Sequence, residues 1–321
     1  MTENLAMNAL SKDKFRGSLL GLAVGDALGT TLEFKLPGAF EPIDDMVGGG
    51  PFGLEVGQWT DDTSMALCLA ESLLVSKGMD LGDQCETYLR WWLEGHLSVT
   101  GECFDIGNTV RSALQSYRVT GTGASGSMDR MAAGNGSIMR LAPVPLFYAA
   151  DPVSAVEQSA ESSRTTHGAT EAVDACRLLC SLILGAIRGY SKEDLLFGSD
   201  AYEVSGLRLS ELEPRIRSIA DGDYREAESS TIRGTGYVVE SLRAALWAFH
   251  RGKNFREGAL LAVNLGDDAD TTGAVYGQLA GAYYGQEGIP SEWLNKLAWK
   301  DRIKKTADRL HQVATMNPVK A

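Results

Sequence analysis

The sequence predicts an all-α protein, and three observations carry that prediction. Apolar residues recur at helical spacing along most of the chain, and no convincing run of alternating apolar residues is present. Two apolar segments repeat glycine every fourth residue: Gly17, Gly21, Gly25 and Gly29 in one, Gly273, Gly277, Gly281 and Gly285 in the other. Acids and threonines cluster directly in front of helical runs. A four-residue repeat forms one slowly drifting stripe on a helix. Each such glycine costs roughly 1 kcal/mol against alanine, so a close contact must compensate: a bare stripe lets another backbone approach. Two stripes at opposite ends of one chain suggest that the first and last large helices pack closely, the simplest partner being each other.

The chain has 321 residues, 44% hydrophobic and 22% charged, the profile of an ordinary globular protein. It is near the size at which chains begin to divide, yet no Pro/Ser-rich linker or charge block marks a division. We therefore expect one domain over residues 1–321, with residues 1–11 and 315–321 as flexible ends. The N-terminal stretch has no apolar core of a signal peptide. Asp26 and Gln278 interrupt the glycine segments, and no uninterrupted span reaches about 18 apolar residues. The expectation is a cytoplasmic protein with no membrane partner. A net charge of −12 argues against a nucleic-acid backbone as the main electrostatic partner. The five cysteines form no CxxC pair, and Cys68, Cys176 and Cys180 fall in apolar helical patterns, as reduced core thiols do.

Taken in order, residues 13–29 form the first striped helix, and Glu33 follows its glycine stop. Residues 37–57, rich in Gly and Pro, read as a long loop. Thr60 then stands as N-cap of a helix with Asp61 and Asp62 in its first turn. Helical patterning continues through 83–96 and 107–118, with Asp105 between them as a cap or a ligand contact. Residues 119–134 form a Gly/Ser loop. It ends at Gly134-Asn135-Gly136-Ser137, a glycine-rich turn expected at a helix start, where free N–H groups suit a phosphate. Asp151-Pro152 opens another helix by cap and N1 proline. His167 stands at the entry of a long apolar helix ending near Arg188. Residues 191–229 read as short helices and loops. Thr235-Gly236-Tyr237 leads into a helix, Asn254-x-x-Glu257 makes a capping box for the next, and two further helices finish the chain.

The chemistry concentrates in two clusters about two hundred residues apart: Thr60, Asp61 and Asp62, and then Asp267, Asp268, Asp270, Thr271 and Thr272. Capping explains one or two residues at each helix start, and the rest are in excess. All offer oxygen, and no histidine or cysteine lies within either cluster. Hard oxygen ligands select Mg²⁺, Mn²⁺ or Ca²⁺ over Zn²⁺. The candidate ligands Thr60, Asp61, Asp62, Asp268, Asp270 and Thr271 include four aspartates, which would repel one another without cations and which two divalent ions would neutralise.

The motifs GDALGTTLEF, WTDDTSMAL, CFDIGNT, GNGSIMRLAP, SRTTHGAT and GDDADTTGAVYGQLAGAYYG, in this order, resemble the ADP-ribosylglycohydrolase family over about residues 15–285. The resemblance implies a compact multi-helix orthogonal bundle of that family's type. It implies two divalent cations, Mg²⁺ or Mn²⁺, on Thr60, Asp61, Asp62, Asp268, Asp270 and Thr271, with Asp267 outside the ligand positions. It also implies hydrolysis of the N- or O-glycosidic bond between ADP-ribose and an acceptor, with ADP-ribose as product. Glu33 would act as general acid/base or orient water, and Asp62 is counted with it among the catalytic groups. Asn135, Gly136, Ser137 and His167 would lie near the diphosphate and Asp105 near the distal ribose or a guanidinium, with Tyr237 also on the substrate. The acceptor is an ADP-ribosylated protein or small molecule, and nucleic acid enters only as an ADP-ribosylated substrate. Two other readings use the same acids: a dinuclear-metal nucleotide phosphohydrolase, and a non-catalytic ADP-ribose-binding protein.

Overall fold

The computed structural model describes residues 10–316. Among them there is no β-strand, and the helices run α1 (Lys12–Gly29), α2 (Asp61–Ser76), α3 (Leu81–Glu94), α4 (Asn108–Thr120), α5 (Pro143–Phe147), α6 (Pro152–Arg164), α7 (Thr170–Arg188), α8 (Lys192–Phe197), α9 (Asp200–Ser205), α10 (Pro214–Ala220), α11 (Val238–Arg251), α12 (Phe255–Val263), α13 (Ala269–Tyr284), α14 (Ser291–Lys296) and α15 (Lys300–Met316). The expectation for the terminal tails falls largely on residues 1–9 and 317–321, outside the described residues.

The architecture is built around the two glycine-striped helices, α1 and α13, which do pack on each other. Gly17 faces Gly281, Gly21 faces Gly277, Gly25 faces Gly273 and Gly29 faces Ala269, so the pair runs antiparallel. A Cβ placed at any of these four α1 glycines would strike a backbone carbonyl of α13, and no side chain could yield. Every residue from Gly17 to Gly29 and from Ala269 to Ala282 is buried, which makes this pair the centre of the core. The remaining helices surround it: α15 packs on α1, while α7, α11 and α12 pack on α13.

Ser18 and Gln278, buried polar residues inside the pair, are both matched. The Ser18 hydroxyl donates to the Gln278 carbonyl at 3.0 Å. The Gln278 side chain donates from Nε2 to the carbonyls of Ile138 and Met139 and accepts from Ala142 N–H at 2.7 Å. That amide ties the 138–142 segment to the central helix. The stripe therefore carries a stability expectation. Gly277→Leu should lower the melting temperature by an amount corresponding to roughly 1–3 kcal/mol or more, because only backbone lies in the way. Gly107→Ala, where a Cβ meets nothing within 4 Å, serves as the control. Equal melting of both variants in a thermal unfolding scan would overturn the close-packing account.

Candidate active site

The antiparallel pairing sets the C-terminal end of α1 beside the N-terminal end of α13, and α2 begins at the same place. Neither Thr60 nor Asp268 caps its helix with its side chain, although each stands at the N-cap position. α2 is instead capped from another helix. Asp26 of α1, fully buried, accepts from Thr60 N–H at 2.8 Å, Thr60 Oγ1 at 3.0 Å, Thr63 N–H at 3.0 Å and Thr63 Oγ1 at 2.6 Å. Burial pushes the Asp26 carboxyl up to about 6 against the pull of these four bonds. Freed from capping, Thr60 Oγ1 also lies 3.1 Å from Asp270 Oδ2 and 3.3 Å from Asp62 Oδ2. Its single proton cannot serve three carboxylates. Thr271 Oγ1 reaches Asp62 Oδ2 at 3.5 Å, and Asp268 Oδ2 accepts from Asn135 Nδ2 at 2.8 Å.

The two acid clusters thus converge, and two further carboxyls join them. Glu33, just past α1, and Asp105, in the loop before α4, each bring an oxygen to a group with Asp270 in which all three lie within 4.8 Å. Desolvation first, and the Asp105, Asp268, Asp62 and Asp26 charges next, raise Glu33 to about 10. The same two causes raise Asp105 to about 8 and hold Asp61, Asp62 and Asp270 well above the usual carboxylate range. Glu33 Oε2, Asp62 Oδ1 and Asp270 Oδ1 are buried with no hydrogen-bond partner. Among the described residues, no lysine or arginine lines the cleft. Buried carboxylates with orphaned oxygens and no cationic side chain to answer them fit a hard divalent cation.

The cleft has a volume of ≈ 260 Å³, with Glu33, Asp61, Asp105, Asp268, Asp270 and Thr271 on its acidic side. Thr60 and Asp62 lie beneath this surface, fully buried. Gly134, Asn135, Gly136 and His167 form the opposite side. The Gly134–Ser137 segment is a turn and not the start of a helix, which corrects the sequence expectation; α5 begins only at Pro143 and spans five residues. Pro143 and Pro145 lack the N–H groups that an earlier helix would need. The two glycines are there for space: a Cβ at Gly136 would lie 2.8 Å from His167 Cε1, and one at Gly134 would lie 3.2 Å from Nε2. His167 is buried, and desolvation with the nearby Arg140 charge lowers it to about 3, so it is neutral. Arg140, itself buried, braces this side from behind, donating to Gly136 O and to Thr166 Oγ1, each at 2.6 Å. Thr166 Oγ1 in turn lies 2.8 Å from His167 Nδ1. With Thr166 donating to Nδ1, the assigned tautomer carries its proton on Nε2, beside the glycines.

Ser137 Oγ turns inward, accepting from Ser163 Oγ at 2.9 Å, so only its backbone belongs to the turn. Tyr237 lies outside the acid cleft, in a groove of ≈ 700 Å³ that shares Thr109, Gly134 and Gly236 with it. There its hydroxyl accepts from Arg215 Nη1 at 2.6 Å. Asp267 binds Arg233 through a two-pronged ion pair, Nε to Oδ2 at 2.6 Å and Nη2 to Oδ1 at 2.8 Å. Its backbone exchanges hydrogen bonds with the Glu33 segment: Phe34 N–H donates to Asp267 O, and Asp267 N–H donates to Lys35 O. It therefore fixes the acid turn to the segment that carries Glu33.

The family model described as ADP-ribosylglycohydrolase matches residues 7–319. The chain belongs to the ADP-ribosylglycohydrolase family. Among its relatives are the ADP-ribosylarginine hydrolase Tri1 of Pseudomonas putida strain GB-1, 47% identical over 93% of this chain and 78% of that protein, and Tri1 of Serratia proteamaculans strain 568, 43% identical over 95% and 80%. The ADP-ribosyl-[dinitrogen reductase] glycohydrolase of Rhodospirillum rubrum is 32% identical over 95% and 98%. A solved structure titled "ADP-ribosylglycohydrolase-related protein complex" superposes with a TM-score of 0.83 at 45% identity, covering 94% of this chain and 98% of that one. This ADP-ribosylglycohydrolase is accordingly a glycosidic-bond hydrolase that releases ADP-ribose from an acceptor.

Sequence reasoning missed two structural supports of the candidate site, Asp26 and Arg140. For Asp26 a signal existed: one acid inside an apolar helix must be paired if it is buried. Arg140 carried the same signal, a charge inside an apolar run, but its partners Thr165 and Thr166 are 25 and 26 positions away.

Proposed function

We propose that this glycohydrolase binds two divalent cations, Mg²⁺ or Mn²⁺, through Thr60, Asp61, Asp62, Asp268, Asp270 and Thr271, and that it removes ADP-ribose from arginine side chains. The observation that carries the metal reading is the orphaned oxygen on each of Asp62 and Asp270, in a buried group of carboxyls with no cationic partner. The arginine reading is supported by the Tri1 relatives, whose printed names are ADP-ribosylarginine hydrolases, and by the acidity of the cleft. When bound, the cations would neutralise the acids, hold ribose hydroxyls and lower the pKa of a water.

The rest of the chemistry belongs to the chain's own residues. Asn135, the Gly136 backbone and neutral His167 receive the diphosphate. Asp105 faces the distal ribose and the guanidinium beyond it. Bond breaking passes through an oxocarbenium-like state that the surrounding carboxylates stabilise. The electron pair of the broken C–N bond stays on the guanidine nitrogen. Glu33 delivers a proton there and recovers one from the attacking water. The net change is addition of H–OH across the bond. The unpaired thiols suit the reducing cytoplasm, where we place the enzyme.

Incubation with Mg²⁺ or Mn²⁺ and a panel of arginine-, serine- and DNA-linked ADP-ribose, read by mass spectrometry, tests this. The expected products are intact ADP-ribose and unmodified arginine. AMP in place of ADP-ribose would make the protein a phosphohydrolase, and turnover confined to serine or DNA conjugates would overturn the arginine reading.

A further inference from the structure

Phe34 directly follows Glu33 and sits at φ 60°, in the left-handed region. For a bulky aromatic residue this conformation is a true outlier, the kind that persists only where the surroundings over-determine it. Here they do. The Phe34 N–H donates to Asp267 O at 2.6 Å, and Asp267 N–H donates to Lys35 O at 2.7 Å. Asp267 is itself left-handed, at φ 56°, and Arg233 grips its carboxylate with two bonds. All of this holds a side chain that contributes little to the core: Phe34 is 66% exposed. It nonetheless lines the cleft, with Glu33, Asp61 and Asp105. A strained backbone that presents an unpacked ring at the mouth of an acidic cleft calls for a ligand outside the core. Asp105, also left-handed at φ 58°, completes the surroundings.

An aromatic face beside carboxylates, with no lysine or arginine in the lining, suits a flat delocalised cation. Guanidinium stacks on aromatic faces while its N–H groups fork toward carboxylates. We infer that Phe34 is the acceptor platform of this enzyme: the guanidinium of the ADP-ribosylated arginine lies against the Phe34 ring while the carboxyls beside it take its N–H groups. This rests on the arginine reading above and adds the residue that would distinguish a planar cationic acceptor from a neutral hydroxyl-linked one.

The test compares wild type with Phe34→Leu, which keeps an apolar side chain and removes the ring, and Phe34→Tyr, which keeps the ring. Each is assayed for KM and kcat on an ADP-ribosylarginine peptide and for inhibition by free ADP-ribose, which has no acceptor. Phe34→Leu should raise KM for the peptide about 3- to 30-fold, the range of a cation–π contact, with the ADP-ribose inhibition constant unchanged. Phe34→Tyr should retain the wild-type KM. An unchanged KM in Phe34→Leu would overturn the inference, and so would a parallel rise in the ADP-ribose constant, since the ring would then shape the nucleotide site. A wild-type enzyme inert on the arginine peptide would remove the arginine reading and this inference with it, an outcome visible before any variant is made.

Discussion

Asp270→Ala should abolish turnover and remove at least one divalent cation from the purified protein. Asp270 is buried, one oxygen takes part in the Thr60 contact at 3.1 Å, and the other has no protein partner. Asp62→Ala should behave alike for the same reason. Metal analysis by mass spectrometry alongside activity checks both, and full occupancy with normal turnover in the two variants would end the dinuclear assignment. A stability measurement on the metal-free protein adds a pH dependence whose sign can be worked out. Glu33 and Asp105, at about 10 and about 8, stand above the ordinary carboxylate range, so the folded state binds more protons than the unfolded one. Their contribution is complete below the unfolded carboxylate pKa and is lost as pH rises through about 8 and then about 10. In chelator, the melting temperature should therefore fall between pH 6 and pH 9. Cations favour the ionised form of the acid cluster that they bind, so the stabilisation gained on adding Mg²⁺ or Mn²⁺ should widen over the same interval. A gap that narrowed toward pH 9 would contradict the proposed charge balance.

The second large effect is on the chemical step. Glu33→Gln keeps the shape and a hydrogen-bonding side chain but cannot carry the proton. A general acid–base group contributes ~10²–10⁴-fold, so kcat should fall by about that factor. Affinity for ADP-ribose and metal content should stay near wild type, because Asn135, His167 and the two acid clusters are untouched. The Glu33 carboxyl also lies within the 4.8 Å group formed with Asp105 and Asp270, which gives the metal measurement a second use. Loss of a cation in Glu33→Gln would make Glu33 a ligand, and loss of ADP-ribose affinity in proportion to rate would make it a binding residue. Unchanged rate would move the proton transfer to Asp105.

Much of this was legible in the sequence because the relevant signals are local. A four-residue glycine period announces a close helix contact before the partner is known, and Gly17–Gly29 did find Gly273–Gly281 and Ala269. The excess of acids over what two caps require pointed to a site. The structure sharpens that point, since the side chains of Thr60 and Asp268 cap nothing. What escaped depended on distant partners. Asp26 read as an interruption in an apolar helix because Thr60 and Thr63, which it caps, begin another helix 34 and 37 positions later. Gln278 reads the same way, and its partners in the 138–142 segment are over a hundred positions away. The turn at Gly134–Ser137 reads as a helix entry from its glycines, although the two prolines downstream argue against a helix there. Ser137 shows the limit of motif reading: the position matches, but its hydroxyl faces the core.

The antiparallel glycine contact also sets a timetable for synthesis. Ser18 and Gln278, which bond across it, are 260 positions apart, and the ribosome adds about 5–20 residues per second. For roughly 10–50 s, a nascent α1 has emerged without its partner, and every residue from Gly17 to Gly29 that the finished protein buries must be shielded by something else. The glycines weaken the lone helix during that interval. The acid cluster is therefore completed late and all at once, when α13 docks and brings Asp268, Asp270 and Thr271 to the acids already made. A ribosome stalled before α13 would hold a chain with half of the acid cluster and an unpaired, aggregation-prone strip of backbone, the state on which a chaperone would act.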